Sequence, residues 1–184
     1  MQFISTPIPD LFVLEPKLWS DNRGYFYESY QARQFEAMGI EVNFVQDNQS
    51  YSQIGTLRGL HAQKAPSAQA KLVRVVQGKV LDIAIDIRKN SATYGQHFAI
   101  ELSGENHLQL YIPTGFLHGF LTLAEHTIFQ YKVSSYYDKE AEVGVIWNDP
   151  SLALPWADYL DPKSFLISEK DLKLPLFEEF QSPF

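Results

Sequence analysis

Apolar and polar residues alternate along several short stretches in the middle of the chain. The alternation is clearest in residues 80–87, where every second residue from Leu81 onward is leucine or isoleucine. A period of two residues is typical of a β-strand that buries one face. Further stretches of strand character lie at residues 58–61, 71–76, 96–102, 107–112, 116–123 and 127–133. Short strands separated by turns at this spacing predict an all-β sandwich or barrel rather than a βαβ fold.

The two ends of the chain are less regular. Three further strands are predicted at residues 11–15, 25–30 and 42–52. Good helix formers in residues 31–38, followed by Gly39, predict one short helix. Prolines interrupt the tail, and we expect it to pack over the barrel with a helical turn within residues 164–174.

Length and composition favour one globular domain. The chain has 184 residues, of which 45% are hydrophobic and 20% charged, so it can bury a sizeable core and is unlike a disordered protein. No internal repeat or low-complexity linker divides it. We therefore expect one domain over residues 1–184, with N-terminal strands and the C-terminal tail packed on the barrel.

The charge and the absence of cysteine exclude several functions. A formal net charge of -7 disfavours binding to nucleic acid or to an anionic membrane surface. With no cysteine, the chain has no disulfide, no thiolate metal site and no cysteine nucleophile. No apolar run approaches the length that spans a membrane, and the first ten residues lack the pattern of a signal peptide. A cytoplasmic location is the resulting expectation.

Polar side chains interrupt the strands of residues 56–76 and predict a pocket. Arg58, His61 and Lys71 stand where a core strand would carry valine, isoleucine or threonine. Each residue alone has an ordinary explanation, a hydrogen-bonded structural histidine or a solvated cation. If the three share a cavity, they place a base of near-neutral pKa beside two cations. That combination suits an anionic substrate from which a proton is removed.

A second motif, P-x-G-x-x-H, covers residues 113–118. Its proline and glycine shape a turn that delivers His118 onto the next strand, as in the second motif of cupins, which are small jelly-roll barrels. A metal-binding cupin also needs paired histidines, usually with a carboxylate, in its first motif. Residues 61–63 offer one imidazole and one amide, which disfavours a metal site.

Two more residues are candidates for proton transfer. Tyr131 shares a strand face with Phe129 and Val133, so its phenol either packs in the core with one hydrogen bond or serves as a general acid. Asp171 lies in the polar tail segment of residues 168–171, which reads as a solvated turn. If the tail instead folds over the barrel mouth, Asp171 can orient His61 and raise its basicity.

The motifs together resemble the dTDP-4-dehydrorhamnose 3,5-epimerases, a family of sugar-nucleotide isomerases. The resemblance runs from Arg23 to Asp171. It rests on RGYFYE at residues 23–28, QDNQS at 46–50, RGLH at 58–61, QAKLV at 69–73, DIAIDIR at 82–88, PTGFLHGF at 113–120, YKV at 131–133, WNDP at 147–150 and SEKD at 168–171. One departure is Ala62, where the family commonly has an aromatic residue.

This resemblance implies an all-β jelly-roll (cupin-like) barrel with a few short helices, a homodimer, and no metal or other cofactor. The implied substrate is dTDP-4-dehydro-6-deoxy-D-glucose, inverted at C3 and C5 to give dTDP-4-dehydro-L-rhamnose. Both carbons flank the C4 ketone. Removing either proton therefore gives an enolate that a cationic side chain can stabilise.

The same resemblance implies a role for each matching residue. His61 matches the base, Tyr131 the acid, Asp171 the partner of His61, and Lys71 the cation near O4. The residues implied to bind the diphosphate, sugar or nucleobase are Arg23, Phe26, Glu28, Gln46, Asn48, Arg58, His118, Glu142 and Lys170. Tyr137 matches a residue that stacks on thymine, and its alternative is an exposed surface tyrosine.

The sequence leaves three other functions open. An enzyme that inverts only C3 or only C5 of a related dTDP-4-keto-6-deoxy sugar would use the same base and acid. A metal-dependent cupin oxygenase or isomerase would carry a stoichiometric bound metal. A non-catalytic sugar-binding barrel is compatible with the fold, because a fold does not dictate function, but such a protein would have little reason to combine His61, Tyr131 and Asp171.

Overall fold

The computed structural model describes all 184 residues, most of them in antiparallel strands and the loops between them. The strands are β1 (Gln2–Ser5), β2 (Phe12–Glu15), β3 (Trp19–Asp21), β4 (Gly24–Phe26), β5 (Gln46–Ser52), β6 (Leu57–Gln63), β7 (Lys71–Gln77), β8 (Lys79–Asp86), β9 (His97–Ser103), β10 (Gln109–Ile112), β11 (Phe116–Thr122), β12 (Thr127–Val133) and β13 (Glu142–Gly144). One α-helix, α1, spans Ala32–Ala37. Short 3-10 helices cover Lys139–Ala141, Pro155–Asp158, Pro162–Ser164 and Asp171–Lys173.

Two antiparallel sheets face each other. The first has six strands in the order β1-β2-β10-β7-β12-β5, and the second has five in the order β13-β6-β11-β8-β9. Strands β3 and β4 pair only with each other. The predicted all-β jelly-roll class is therefore confirmed.

The main core lies between the two sheets. Strands β7, β8 and β12 contribute Val73, Val80 and Phe129, all fully buried, and Phe120 of β11 stacks on the ring of Phe129 with centroids 4.2 Å apart. The alternation in β8 sends Val80 and Ala84 into this core. Both faces of the strand are buried, which differs from the half-buried strand that its period indicated.

The tail covers the outer face of the five-stranded sheet. Leu81, Ile83 and Ile85 of β8 form a second apolar cluster, against which Trp156 and other aromatic residues of the tail pack. The tail also contains a 3-10 turn at Asp171–Lys173, within the range predicted for a helical turn. The tail therefore explains why β8 has no exposed face.

The single α-helix covers the outer face of the six-stranded sheet. Its only buried residue, Phe35, packs with Leu14, Leu72 and Tyr111 in a third cluster. The helix predicted at residues 31–38 is thus present, one residue shorter at each end. No helix in the chain is both long enough and apolar enough to cross a membrane.

Two predicted strands extend four residues beyond the observed ones at one end, and β1, β3 and β13 were not predicted. The strand expected at residues 25–30 ends at Phe26, because the chain then turns onto the six-stranded sheet. There the hydroxyl of Tyr27 accepts a hydrogen bond from Arg74, and the carbonyl of Ser29 accepts one from Gln109. The strand expected at residues 42–52 begins only at Gln46. The β-propensity of residues 25–30 comes from their aromatic side chains, and it contains no information on the surface against which these side chains pack.

A buried carboxylate fixes the loop after β8. Asp86 is fully buried and accepts five hydrogen bonds, three from Arg88 and one each from Ser91 and Thr93. Burial by itself would raise the pKa of Asp86, but these hydrogen bonds outweigh it and lower the pKa to about 2. The ionised carboxylate therefore stabilises the folded state.

We expect Asp86→Asn to lower the free energy of unfolding by roughly 3 kcal/mol at pH 7, because the substitution disrupts a buried ion pair. The pKa of Asp86 is about 2 in the folded protein, and an unfolded aspartate titrates near pH ~4. Its stabilisation is therefore complete above the unfolded pKa and is lost as the pH falls towards 2. Chemical denaturation at pH 7, 5 and 3 should show the gap between the two proteins narrowing.

The matched control for this prediction is Asp47→Asn, which removes an exposed carboxylate paired with Lys132. We expect that change to cost less than about 1 kcal/mol, as is usual for surface ion pairs. A gap between native protein and Asp86→Asn that stays constant from pH 7 to pH 3 would contradict the assigned role of the carboxylate.

Candidate active site

A cavity of about 430 Å³ lies between the two sheets and brings together most of the predicted site residues. Its wall includes four residues predicted to be catalytic, His61, Lys71, Tyr131 and Asp171, and seven predicted to bind substrate, Gln46, Asn48, Arg58, His118, Tyr137, Glu142 and Lys170. These residues come from six different strands, from the loop after β12, which carries Tyr137, and from the tail. Arg58, His61 and Lys71 share one cavity, which was the condition for reading them as a site.

The edge strand β5 forms a polar wall of this cavity. Its less exposed side chains are Gln46, Asn48, Ser50 and Ser52, none of them apolar, and the first three line the cavity. The amide of Gln46 donates to the side-chain oxygen of Asn48 at 2.8 Å. The hydroxyl of Ser50 is buried and has no hydrogen-bond partner within the protein. A strand face of this composition contributes to a binding surface rather than to a hydrophobic core.

His61 and Asp171 form a partly buried pair although 110 residues separate them in the chain. The Nε2 atom of His61 lies 2.8 Å from Oδ1 of Asp171, whose other oxygen faces the backbone N–H of Gly59 at 3.5 Å. Residues 168–170 are exposed, as a solvated turn would be, but Asp171 is only 4% exposed, so that reading does not hold for Asp171. The backbone N–H of Asp171 donates to Ser168, which holds the turn that carries the carboxylate.

The electrostatics of this pair keep Asp171 ionised. Burial by itself would raise the pKa of Asp171, but the hydrogen bond with His61, the charge of that ring and bonds from Gly59 and Ser168 together lower it. An ionised Asp171 requires the hydrogen of the imidazole on Nε2. In a neutral ring the other nitrogen, Nδ1, then has a free lone pair, and it makes no hydrogen bond within the protein. This geometry leaves Nδ1 able to accept a proton.

Close approach of β6 and β11 sets the position of this pair. Gly59 has φ +125°, and a Cβ atom at this residue would lie 2.6 Å from the Cα of Gly119 on the neighbouring strand. Only glycine adopts this backbone conformation without strain. Next to this contact, His61 and His118 are direct cross-strand partners. The two rings therefore lie side by side on the cavity wall.

His118 has a carboxylate partner of its own, which was not predicted as a site residue. Its Nε2 lies 3.0 and 3.1 Å from the two oxygens of Asp82, a fully buried residue of β8. Burial lowers the pKa of His118, and the charges of Lys71 and His61 act in the same direction, whereas Asp82 raises it. The alternation in residues 80–87 had placed Asp82 on the polar face of the strand, opposite Leu81 and Ile83, so no sequence signal marked it.

Lys71 provides a cation within the barrel. Burial lowers its pKa to about 8, and the charges of Asp82 and Glu142 partly offset that effect. Its ammonium group is therefore mostly protonated at pH 7 and loses its proton only a little above. Desolvated cations of this kind are suited to stabilising negative charge that develops on a bound molecule.

Tyr131 lies where the hydrophobic core meets the cavity. Its ring centroid is 6.0 Å from that of Phe129, which belongs to the core. Burial raises the pKa of Tyr131, although the charge of Arg58 lowers it. No protein group makes a hydrogen bond with its hydroxyl, so the phenol stays protonated and can donate to a bound molecule. Of the two alternatives for Tyr131, a core residue with one internal hydrogen bond is therefore not the one observed.

A third group of side chains surrounds the cavity mouth. The ring of Tyr137 is 57% exposed, and its hydroxyl donates to Glu142 at 3.1 Å. The other oxygen of Glu142 forms an ion pair with Lys170. Arg58 lies near the hydroxyl of Ser52, with both nitrogen–oxygen distances at 3.4 Å. The mouth thus presents an aromatic face beside two cations.

Three predicted substrate-binding residues do not line the cavity. Arg23 lies on the β3–β4 hairpin with its side chain 85% exposed, and it pairs with Asp21. Phe26 on the same hairpin is also exposed. Glu28 accepts hydrogen bonds from Gln31 and Gln34 at the start of α1. Within a single chain these residues are separate from the site.

No metal centre is formed by the residues of this cavity. The chain contains no group of three or more histidine, cysteine or carboxylate side chains that could hold a metal ion. Each of the two cavity histidines instead uses Nε2 to contact one carboxylate. That the reaction needs no metal stays a prediction.

Comparisons with known proteins agree with one another. The model of the dTDP-4-dehydrorhamnose 3,5-epimerase family matches residues 5–179. The enzyme of that name from Salmonella typhimurium is 47% identical over 180 residues, 97% of each chain. The crystal structure of the Bacillus anthracis enzyme with TDP and PPi bound is 48% identical, with a TM-score of 0.90 over 96% of this chain and 99% of that one.

A crystal structure of the dTDP-6-deoxy-D-glucose-3,5-epimerase of Legionella pneumophila, in complex with dTDP-4-keto-L-rhamnose, is similarly close. It is 44% identical, and its TM-score is 0.92 over 98% of this chain and 94% of that one. Matches of this extent cover both the barrel and the tail that carries Asp171. The chain therefore belongs to the dTDP-4-dehydrorhamnose 3,5-epimerase family.

Proposed function

We propose that this protein is an isomerase that inverts C3 and C5 of dTDP-4-dehydro-6-deoxy-D-glucose to give dTDP-4-dehydro-L-rhamnose, a step of dTDP-L-rhamnose biosynthesis. The single observation that carries the proposal is the contact of His61 with the buried carboxylate of Asp171, in a cavity that Tyr131 also lines. Family membership supports the same reaction.

The chemistry follows from the C4 ketone of the substrate. His61 takes the proton from C3 or C5 through Nδ1, and the electron pair of the broken C–H bond moves onto the C4 oxygen as an enolate. Lys71, with His118 beside it, stabilises that oxygen electrostatically. When the ketone reforms, Tyr131 donates its phenolic proton to the same carbon from the opposite face, which inverts the centre. Solvent then removes the proton from His61 and restores the one on Tyr131.

Arg58 and Lys170 supply the cations that would bind the diphosphate at the cavity mouth. The amides of Gln46 and Asn48 offer hydrogen bonds to the sugar or the nucleotide. Tyr137 presents an exposed ring on which the thymine base would stack, while Glu142 holds the tyrosine hydroxyl. These roles extend over both sheets of one cupin-like domain, residues 1–184, and need no cofactor.

We further propose a homodimer in which the hairpin of one chain completes the cavity of the other. This arrangement would bring Arg23, Phe26 and Glu28 to the substrate, although none of them lines the cavity of its own chain. The hairpin pairs with neither main sheet and exposes Trp19, Tyr25 and Phe26, an apolar surface that suits burial against a partner. The location proposed for the dimer is the cytoplasm, where its nucleotide sugar would be made.

Proton removal can be followed directly. We expect the protein, incubated with the dTDP-4-keto sugar in deuterated water, to place deuterium at both C3 and C5, read by NMR. His61→Ala should lower the exchange rate by about 100-fold or more, the usual contribution of a general base, while dTDP still binds. Deuterium at only one carbon would instead support a single-centre epimerase, and none at either would contradict both.

The pH dependence of kcat/KM should reflect the loss of the proton from Lys71. Its pKa of about 8 means that the cation is present below pH 8 and lost above it. We therefore expect kcat/KM to fall above pH 8, approaching about tenfold per pH unit. Tyr131, whose pKa lies above its ordinary value, does not titrate there. Lys71→Arg keeps its charge and should lose this decline, so a native profile that stays flat to about pH 10 would contradict the role of Lys71.

Complementation tests whether the hairpin acts across a dimer. We expect His61→Ala and Arg23→Ala each to lose most activity as separate homodimers. A mixed dimer has one cavity with both defects and one with neither, so random mixing of equal amounts should restore about a quarter of native activity. Variants damaged in one chain's own cavity, such as His61→Ala with Asp171→Asn, serve as the control and should not complement. Failure of the first pair to complement would place Arg23 outside the site.

A further inference from the structure

The loop after β12 carries Tyr137 and has an unusual set of hydrogen bonds. Residues 135–137 make no backbone–backbone hydrogen bond. Their backbone groups are held instead by three glutamine side chains. Gln69 donates to the carbonyl of Ser135 at 2.7 Å, Gln63 donates to the carbonyl of Tyr136 at 3.1 Å, and the N–H of Tyr137 donates to Gln46 at 3.3 Å.

Gln63 makes the most extensive of these contacts. It is 4% exposed and lies at the end of β6, two residues after His61. Its Nε2 also donates to the carbonyl of Ser67 at 2.7 Å, and its Oε1 accepts from the N–H of Asp138 at 3.0 Å. Gln63 thus holds the peptide groups on both sides of Tyr137. A side-chain amide suits this task because it donates and accepts from one rigid plane.

The hydroxyl end of Tyr137 is held by Glu142 on β13, the strand next to β6. Gln63 and Glu142 are cross-strand partners in the β6–β13 pair. Glu142 accepts the hydrogen bond from the hydroxyl of Tyr137. The backbone of Tyr137 is therefore fixed through the side chain of Gln63, and its phenol through the neighbour of Gln63 on the adjacent strand. An exposed aromatic ring is ordered before any ligand arrives.

We infer that Gln63 is a positioning residue for nucleobase recognition, which fixes the loop so that the ring of Tyr137 is preset to receive the base. The inference rests on the proposed function, in which Tyr137 stacks on thymine. Ordering a loop during folding, rather than during binding, removes that entropy loss from the binding step. The benefit should therefore appear in affinity for the nucleotide and leave the proton-transfer step nearly unchanged.

A substitution that keeps the size of the side chain tests this directly. Gln63→Met removes all three hydrogen bonds. Gln63→Glu keeps the acceptor for Asp138 and loses both donors. We expect each to weaken binding of dTDP, measured by titration calorimetry, by about tenfold, the range that base–aromatic stacking provides. KM should rise by a similar factor, whereas kcat should change little.

Two comparisons separate positioning from general structural damage. Gln77→Met removes a glutamine whose amide also donates to a loop carbonyl, that of His126, but whose side chain does not line the cavity. It should leave the dissociation constant of dTDP unchanged. Inorganic pyrophosphate, which lacks the base, should bind native protein and Gln63→Met equally. A loss of pyrophosphate affinity in Gln63→Met, or an unchanged dTDP affinity in both Gln63 variants, would overturn the inference.

A double-mutant cycle links Gln63 to Tyr137 specifically. In the background of Tyr137→Ala, the Gln63→Met change should no longer weaken dTDP binding, because the ring that it positions is absent. Equal losses in both backgrounds would show that Gln63 acts on some other part of the cavity. The proposed function is tested separately on the native protein, and it fails if that protein does not exchange the protons at C3 and C5 of the sugar, whatever the affinity of the Gln63 variants for dTDP.

Discussion

The contact between Asp171 and His61 is the constraint on which the rest of this site depends. It joins the tail of the chain to β6, and it does so with a carboxylate that is almost completely removed from water. A buried charge without its partner is strongly destabilising, so the tail can carry Asp171 there only if it docks in one position. Docking is secured by backbone hydrogen bonds of Leu166 with Gly55 and Leu57, and by apolar tail residues that cover the five-stranded sheet. Docking of the tail and formation of the His61–Asp171 contact are consequently one event.

The barrel interior is divided between a core and a site, and the same strands supply both. On β12, Phe129 packs in the core and Tyr131, two residues later, lines the cavity. On β7, Val73 is buried in the core while Lys71 contributes an ammonium group. Strands place alternate residues on one face. Two residues on the same face of one strand can therefore belong one to the core and the other to the cavity. The cost is desolvation of the polar groups, seen in the lowered pKa of Lys71 and the raised pKa of Tyr131.

Two histidine–carboxylate pairs stand side by side in this cavity, and their surroundings differ. His61 is partly exposed to the cavity and pairs with a carboxylate whose pKa is lowered. His118 is buried beside Lys71 and Asp82, and its pKa is lowered by burial first and by neighbouring positive charge second. One ring is thus arranged to accept a proton, and the other adds polarity next to a cation. Such a separation of roles between similar groups comes from their environments and not from the residue types.

The sequence by itself determined the period of the strands, the all-β class and the family to which the motifs belong. It also selected His61, Lys71, Tyr131 and Asp171, of which the first two lie in motifs with several polar residues. Only the tertiary structure decided that Asp171 reaches His61, that Asp82 supports His118, and that the hairpin bearing Arg23 lies apart from the cavity. The physical reason is that alternation fixes which side chains share a face, a local property of the backbone. Which faces meet across the barrel depends instead on packing between segments far apart in the chain, and no local pattern records that pairing.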